Sequence, residues 1–170
     1  PPFLRFVKEL RVHKAWNYKI PLLLSFTYLI VYMGEVGTQV FTLSIISSYL
    51  TILGFAGTAY LINDYSDQEP DLVSGKQNFF STRLSRHFFV YLLFFVLIAL
   101  LPWLYLPIDK FSIFLIALQF TSYILYSFRP FRFKEKGVLG LLCDALYAHV
   151  IPAILAMHTF YLIVGEELIE

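Results

Sequence analysis

Long runs of apolar residues constrain this chain more than any other feature of its sequence. The longest extends over residues 38–62 and contains no charged residue. A bilayer core of ~30 Å is spanned by a helix of ~20 predominantly apolar residues, so a run of this length predicts a membrane span. Only 15% of the residues are charged, against roughly 25% in soluble domains. Too few polar groups remain to cover a water-facing surface.

Five such runs predict five transmembrane helices in a single domain, residues 1–170. They cover about residues 20–33, 38–62, 87–106, 111–128 and 138–164. The first run is short for a bilayer and has to extend on one side or the other. Pro102 interrupts the third run and Pro152 predicts a kink in the fifth, because proline removes a main-chain donor. We therefore expect an all-α fold, a polytopic bundle of transmembrane helices.

The N-terminal segment of residues 3–14 combines apolar with basic residues. Phe3, Phe6, Val7 and Leu10 recur at helical spacing, and basic residues occupy other parts of the helical wheel. This pattern is typical of a helix that lies in the membrane interface. A plain basic flank of the first span explains it equally well, so both interpretations stay open.

The basic residues collect on one side of the predicted membrane. With five spans, the N-terminus and the loops 63–86 and 129–136 share a side, and all of the 13 Lys and Arg residues except Lys110 lie there. Cytoplasmic loops carry the excess of Lys and Arg in membrane proteins. We expect an integral protein of the plasma (inner) membrane, with its N-terminus on the cytoplasmic side.

An acidic cluster directly follows the second predicted span and contains Asn63, Asp64, Asp67 and Asp71. On a continuing helix the three carboxylates share a face, and Asn63 pairs with Asp67. Like charges repel and are costly beside hydrocarbon, and a divalent cation relieves both costs. Since Mg²⁺ typically binds through one or two carboxylates and substrate phosphates, we predict a Mg²⁺-diphosphate site. Pro70 disfavours helix at the preceding residue and weakens the expected contribution of Asp71. An ordinary solvated loop is the alternative.

A basic segment, residues 126–136, follows the fourth predicted span and faces the same compartment as the acidic cluster. It contains Arg129, Arg132 and Lys134. Guanidinium and ammonium groups are natural partners of a diphosphate, and a clamp of this kind helps a diphosphate to leave. The alternative is that these cations are only the flank that the positive-inside rule requires.

Three stretches of the chain resemble the UbiA superfamily of intramembrane prenyltransferases. The most specific is Asn63-Asp64-x-x-Asp67-x-x-x-Asp71, which matches the family's first Asp-rich motif. Residues 10–19 look like the Arg-x-x-x-x-Trp entry to the first span, and residues 126–134 look like the Tyr/Lys motif of the family.

The resemblance implies Mg²⁺-dependent transfer of a polyprenyl group from its diphosphate to an aromatic, lipid or sugar-phosphate acceptor. It implies that the four residues of the Asp-rich motif are metal ligands, and that Asp64, Asp67 and Lys134 carry the catalysis. The expected substrate-binding residues are Asn63, Asp71, Lys76, Asn78, Tyr126, Arg129, Arg132 and Asp144. Polyprenyl diphosphate and membrane lipid are the expected partners, and nucleic acid is not.

Asp144 is an ionisable residue inside the fifth predicted span, which makes it a functional candidate by default. We expect it either to orient an acceptor or to pair with Lys134 or Lys136.

The chain departs from the family pattern towards its C-terminus. Members carry about nine spans and a second motif, Asp-x-x-x-Asp, whereas Asp144 is the only acid here between residue 136 and Glu166. We therefore expect the N-terminal half of a longer bundle, or a shortened member that needs a partner chain. The alternative function is a catalytically incomplete protein that binds a lipid diphosphate or acts as a scaffold. Membrane CDP-alcohol phosphotransferases also cluster Asp residues, but they need Asp-Gly followed by Ala-Arg, and neither pair follows Asp64.

Overall fold

The computed structural model describes residues 37–76, 78–81 and 87–167, with Pro21, Ser25, Tyr28, Leu29 and Tyr32 in addition. The predictions for residues 3–14 and, apart from those five positions, for the first span lie outside the described residues. Within the described part of the chain, every regular element is a helix.

Six α-helices follow one another in the described part. They are α1 (Thr38–Ser66), α2 (Gln68–Val73), α3 (Phe88–Leu100), α4 (Lys110–Ser127), α5 (Val138–Ala145) and α6 (Ile151–Glu167). Short 3₁₀ turns lie at Phe79–Ser81, Leu101–Leu104 and Phe133–Glu135, and a π-helical segment, Leu146–Val150, joins α5 to α6.

Three of these helical stretches are long and apolar enough to cross a membrane. They are Thr38–Ser66, Lys110–Ser127 and the continuous rod Val138–Gly165 that α5, the π segment and α6 form together. A shorter apolar helix, Phe88–Leu104, corresponds to the third predicted span. The all-helical character is thus confirmed for the described residues, three helical stretches have the length and composition of membrane spans, and the total of five stays a prediction.

Both prolines named above interrupt helical geometry. Pro102 lies in the 3₁₀ turn that ends α3. Pro152 is the second residue of α6, directly after the π segment, where Ile151 N donates to the carbonyl of Leu146 five residues earlier. Since Pro152 has no N–H, the carbonyl of Tyr147 has no main-chain donor within its own helix.

The helices α1 and α3 pack closely against each other and form part of the hydrophobic core. A Cβ at Gly54 would collide with the main-chain nitrogen of Ala99, and Thr51 Oγ1 donates to the carbonyl of Ala99 over 3.3 Å. The absence of a side chain at Gly54 therefore sets the distance between the two helices. Buried apolar residues surround this contact, among them Phe55, Leu61, Phe95 and Leu115.

An aromatic group holds the end of α1 against the start of α3. The ring of Tyr65 stacks on that of Phe88 with centroids 4.0 Å apart, and Phe80 meets Tyr65 edge-on at 5.8 Å. The adjacent Phe79 is fully buried. These contacts fix the turn Phe79–Ser81 beside the acidic cluster.

Asp109, to which we assigned no role from the sequence, is the N-cap of α4. Its Oδ1 accepts from Ser112 N at 2.8 Å, and both carboxylate oxygens lie 3.0 Å from His158 Nε2 on α6. The hydrogen bond from the Ser112 main chain, supported by those from His158 and the Ser112 hydroxyl, lowers the pKa of Asp109 to about 2. The pair joins the start of α4 to α6.

Gly54→Ala should destabilise the protein by about 1–3 kcal/mol, because the added methyl group overpacks the contact between α1 and α3. Unfolding in mixed micelles with increasing denaturing detergent measures this change. Gly165→Ala is the matched control, since a Cβ there meets nothing within 4 Å and alanine favours a helix. Equal stability of the two variants would contradict the packing described for Gly54.

Acid should remove the stabilisation that Asp109 provides. Its pKa in the folded protein, about 2, lies below the value of about 3.9 expected for an unfolded Asp. The contribution is therefore complete above about pH 4 and is lost as the pH falls towards about 2. The difference in unfolding midpoint between the unaltered protein and Asp109→Asn should shrink over this interval. A difference for Asp109→Asn that stays constant over this interval would refute the assignment.

Candidate functional site

The acidic cluster lies where α1 ends. The helix continues past Ile62 to Ser66, as expected, and α2 begins at Gln68 after a break at Asp67. Positions i and i+7 of a helix lie almost on one line, whereas i+3 lies about 60° to one side. The structure accordingly separates the expected single face into two groups, one with Asp64 and Asp71 and one with Asn63 and Asp67.

Asp64 and Asp71 are buried and bind the segment that follows α2. Phe79 N donates to Asp64 Oδ2 over 2.9 Å. Asn78 Nδ2 donates to Asp71 Oδ2 over 3.0 Å and to the main-chain carbonyl of Asp64 over 3.2 Å. Lys76 Nζ lies 3.3 Å from Asp71 Oδ1. Four predicted site residues are thus brought together, and their contacts hold this segment against the end of α1.

Asp67 is directed towards the basic segment instead. Its Oδ1 accepts from Lys134 Nζ over 2.6 Å and from Arg132 Nη2 over 2.8 Å. Lys134 Nζ also donates to Asn63 Oδ1 and to Ser66 Oγ, each over 2.9 Å. The side chains of Lys134 and Arg132 are only 12% and 10% exposed. These five residues are called the Asp67 network below.

The backbone of the basic segment is shaped to bring both cations to Asp67. Arg132 has a left-handed conformation, with φ of 39°, which is uncommon for a residue other than glycine. Its Nη1 donates to the carbonyls of Ser66 (3.2 Å) and Ser127 (3.3 Å). A Cβ at Gly140 would lie 2.6 Å from the carbonyl oxygen of Phe133, so this glycine lets α5 approach the segment.

Arg129, the third predicted cation, is exposed. Among the described residues, no hydrogen bond or ion pair joins it to the Asp67 network.

The two largely buried cations, Lys134 and Arg132, differ in how firmly they hold their protons. Burial lowers the pKa of Lys134 below its usual value, although the hydrogen bond and charge of Asp67 oppose the change. Burial also acts to lower the pKa of Arg132, but the hydrogen bond to Glu135 and the charge of Asp67 outweigh it and the pKa is raised. The same Arg132 hydrogen bond lowers the pKa of Glu135. Arg132 is therefore the permanent cation of the pair.

A cavity of about 270 Å³ lies inside the bundle beside the Asp67 network. Asn63 lines it and also binds Lys134, so one end of the cavity adjoins the network. The wall comes from α1, α4 and the rod of α5 and α6. Its apolar part includes Ile52, Phe55, Ala56, Ala59, Ala148 and Pro152, and its polar part Tyr60, Asn63, Gln119, Tyr123, Tyr126, Asp144 and Tyr147.

Gln119 is a site residue that the sequence analysis missed. Its Nε2 donates to the carbonyl of Tyr147 over 2.7 Å and to the hydroxyl of Tyr123. The Tyr147 carbonyl is the one that the π segment and Pro152 leave without a main-chain donor. A carbonyl only accepts, so this contact fixes the orientation of the amide. Gln119 Oε1 is then buried with no hydrogen-bond partner among the described residues, which costs about 1–3 kcal/mol. The sequence did contain a signal for Gln119, because a polar amide inside a long apolar run is a candidate for a functional residue.

Asp144 and Tyr126 face the cavity together with Tyr147. The rings of Tyr126 and Tyr123 each meet that of Tyr147 edge-on, with centroids 5.2 Å and 5.1 Å away. The expected pairing of Asp144 with a lysine does not occur in the described part of the chain, because Lys134 binds Asp67 and Lys136 lies over the ring of Phe133.

The three carboxylates of the cluster do not converge on one point. Over residues 37–76, 78–81 and 87–167, no group of three Asp, Glu, His or Cys side chains is placed to hold a metal ion. Asp67 is compensated by two cations, and Asp64 and Asp71 bind Phe79 and Asn78. These residues do not form a protein cage for Mg²⁺. A bound ion would have to take most of its ligands from phosphate or water, which is common for Mg²⁺.

No protein-family model matches the chain, and comparisons with curated proteins and with solved structures found no match. The likeness to the UbiA superfamily therefore rests on the sequence motifs alone, and the function is inferred from the site.

Asp67→Asn should destabilise the protein by about 2–4 kcal/mol, because it removes the carboxylate that pairs with Lys134 and one of the two that pair with Arg132, and both cations are largely buried. Unfolding in mixed micelles measures the effect. Adding Lys134→Met to Asp67→Asn should restore part of the stability, since residues in one network couple. Glu69→Gln, which removes an exposed carboxylate, should change stability by less than about 0.5 kcal/mol. An Asp67→Asn protein as stable as Glu69→Gln would show that the network carries little energy.

Proposed function

We propose that this chain binds a polyprenyl diphosphate with its headgroup on the Asp67 network and its reactive carbon at the adjoining end of the cavity, and that it transfers the prenyl group to an acceptor. One observation carries the proposal: Asn63 lines an aromatic-walled cavity within the bundle and also accepts a hydrogen bond from Lys134, which together with Arg132 forms a pair of largely buried cations. Cations that serve only as a topological flank have no need to be buried beside a cavity.

The headgroup position follows from charge. Asp67 holds Lys134 and Arg132 close together before a ligand binds. A diphosphate carries more negative charge than one carboxylate and matches the planar fork of a guanidinium. It therefore replaces Asp67 as the main partner of both cations, and the prenyl chain extends into the hydrocarbon.

The transfer step breaks the bond between C1 of the prenyl group and the diphosphate oxygen. The electron pair leaves with the diphosphate, and Lys134 and Arg132 stabilise the charge that develops there. The allylic carbon becomes cationic beside the rings of Tyr126 and Tyr147, whose faces favour positive charge. The acceptor forms a new bond to C1 and loses a proton.

Mg²⁺ remains our prediction for this site. An ion that accompanies a diphosphate needs only one or two carboxylates from the protein, and Asp64, Asp67 and Asp71 lie at the same end of α1 as the proposed headgroup position. When bound, it would neutralise charge on the leaving diphosphate.

The proposed location is the plasma (inner) membrane, with the Asp67 network on the cytoplasmic side. Among the described residues, one basic residue, Lys110, begins α4, and the others lie at or beyond the opposite ends of α1 and α4. They are Lys76, Arg129, Arg132, Lys134 and Lys136. This asymmetry supports the cytoplasmic assignment through the positive-inside rule.

A second candidate function is binding of a lipid diphosphate without turnover. The observation that favours it is the separation of the three carboxylates, each of which has protein partners. Both functions require a headgroup on Lys134 and Arg132. Only the first requires the bond to C1 to break.

Release of diphosphate from geranylgeranyl diphosphate, measured with Mg²⁺ on protein in lipid nanodiscs, separates the two. We expect release, and we expect Lys134→Met to lower kcat/KM by about 10²–10³, the usual effect of removing one charge-stabilising donor. Arg129→Gln is the matched control, because it removes an exposed cation outside the network, and should cost less than about threefold.

Binding of geranylgeranyl diphosphate without release would favour the second function. Absence of both binding and release from a folded protein would contradict the proposal, as would equal effects of Lys134→Met and Arg129→Gln.

A further inference from the structure

Among the described residues that line the cavity, Asp144 is the one from the group Asp, Glu, Lys, Arg and His. We infer that the cavity takes a neutral, hydroxyl-bearing molecule of single-ring size, that Asp144 accepts a hydrogen bond from its hydroxyl, and that anionic molecules are rejected. That this molecule is the prenyl acceptor rests on the proposed function. The binding selectivity itself does not.

The charges around Asp144 exclude an anion. The described wall of the cavity contains no Lys, Arg or His, and the nearby Lys134 is already bound to Asp67 and Asn63. A carboxylate or phosphate beside Asp144 would therefore meet a like charge in a medium of low dielectric constant, with no counter-ion. A hydroxyl group meets no such cost, and hydrogen bonds to a carboxylate are stronger than those between neutral groups.

Gln119 adds a second acceptor to the same wall. Its amide nitrogen is held by the carbonyl of Tyr147, and its Oε1 is buried with no hydrogen-bond partner among the described residues. The carboxylate of Asp144 has a hydrogen bond with the side chain of Tyr147 and keeps lone pairs for a further donor. A ligand that donates hydrogen bonds can therefore bind Asp144 and satisfy Gln119 Oε1, whereas a ligand that only accepts them can do neither.

The size and lining of the cavity favour a single ring. Its volume of about 270 Å³ lies just under the range of roughly 300–1,000 Å³ typical of pockets for drug-sized ligands. The rings of Tyr123, Tyr126 and Tyr147 meet edge-on in its wall, and this arrangement offers both faces and edges to an aromatic ligand. Of the aromatic, lipid and sugar-phosphate acceptors considered above, the cavity therefore favours a neutral phenol.

Three probes with the same apolar body test the selectivity: 4-butylphenol, 4-butylanisole and 4-butylbenzoate. Binding to the protein in nanodiscs is measured by equilibrium dialysis without any diphosphate, and empty nanodiscs correct for partition into lipid. We expect 4-butylphenol to bind about tenfold or more tightly than either other probe, the effect of one hydrogen bond to a charged group.

Substitutions assign the selectivity to Asp144. Asp144→Asn should weaken 4-butylphenol and strengthen 4-butylbenzoate, so that the ratio of their Kd values changes by about tenfold or more. Asp144→Glu keeps the charge and should keep the preference for the phenol. Glu69→Gln, the surface control, should leave the ratio unchanged. Circular dichroism confirms that each variant is folded.

The inference is overturned if the phenol does not bind, if the three probes bind alike, or if Asp144→Asn leaves the ratio unchanged. Preference for the phenol without diphosphate release would support the selective cavity and count against the transferase. Diphosphate release without a preference for the phenol would support the transferase and contradict the selective cavity.

Discussion

The ion pairs of Asp67 with Arg132 and Lys134 join parts of the chain that are 65 and 67 residues apart. All three side chains are largely buried, so Lys134 depends on Asp67 for compensation, and Arg132 depends on Asp67 and Glu135. The network fixes the end of α1 against the segment that precedes α5, and through Asn63 it defines one end of the cavity. Without Asp67, Lys134 would lose its carboxylate partner, and the two cations of the proposed headgroup site would not be held together before the ligand binds.

The backbone departs from regular helical geometry at several points around the Asp67 network and the cavity. Arg132 has a left-handed backbone, and Gly140 has no room for a side chain beside Phe133. On the far side of the cavity, the π segment and Pro152 free the carbonyl of Tyr147, which then orients Gln119. Strained or irregular backbone persists only where the surrounding contacts over-determine it. The left-handed backbone of Arg132 positions a cation of the Asp67 network next to one end of the cavity. The π segment positions hydrogen-bond acceptors in the cavity wall.

Much of this architecture follows from sequence patterns. The apolar runs predicted the long helical stretches of the described part within a few residues, because a membrane span needs a long uninterrupted run, but they did not predict the short helix α2. The division of the acidic cluster did not follow, since it depends on how Phe79 and Asn78 fold back onto Asp64 and Asp71. Gln119 was missed because its partner carbonyl is free only in π geometry, and the Asp109–His158 pair because its members are 49 residues apart. The first span, the five-span total and the family assignment stay predictions.

The most direct test is a structure of the protein with the non-hydrolysable analogue geranylgeranyl thiodiphosphate and Mg²⁺. The account predicts diphosphate oxygens within hydrogen-bond distance of Lys134 Nζ and the Arg132 guanidinium, with the first isoprene unit beside Asn63 at the end of the cavity. Lys134 and Arg132 would then have exchanged Asp67 for the diphosphate. A diphosphate bound elsewhere, with both Asp67 ion pairs intact, would contradict the central claim.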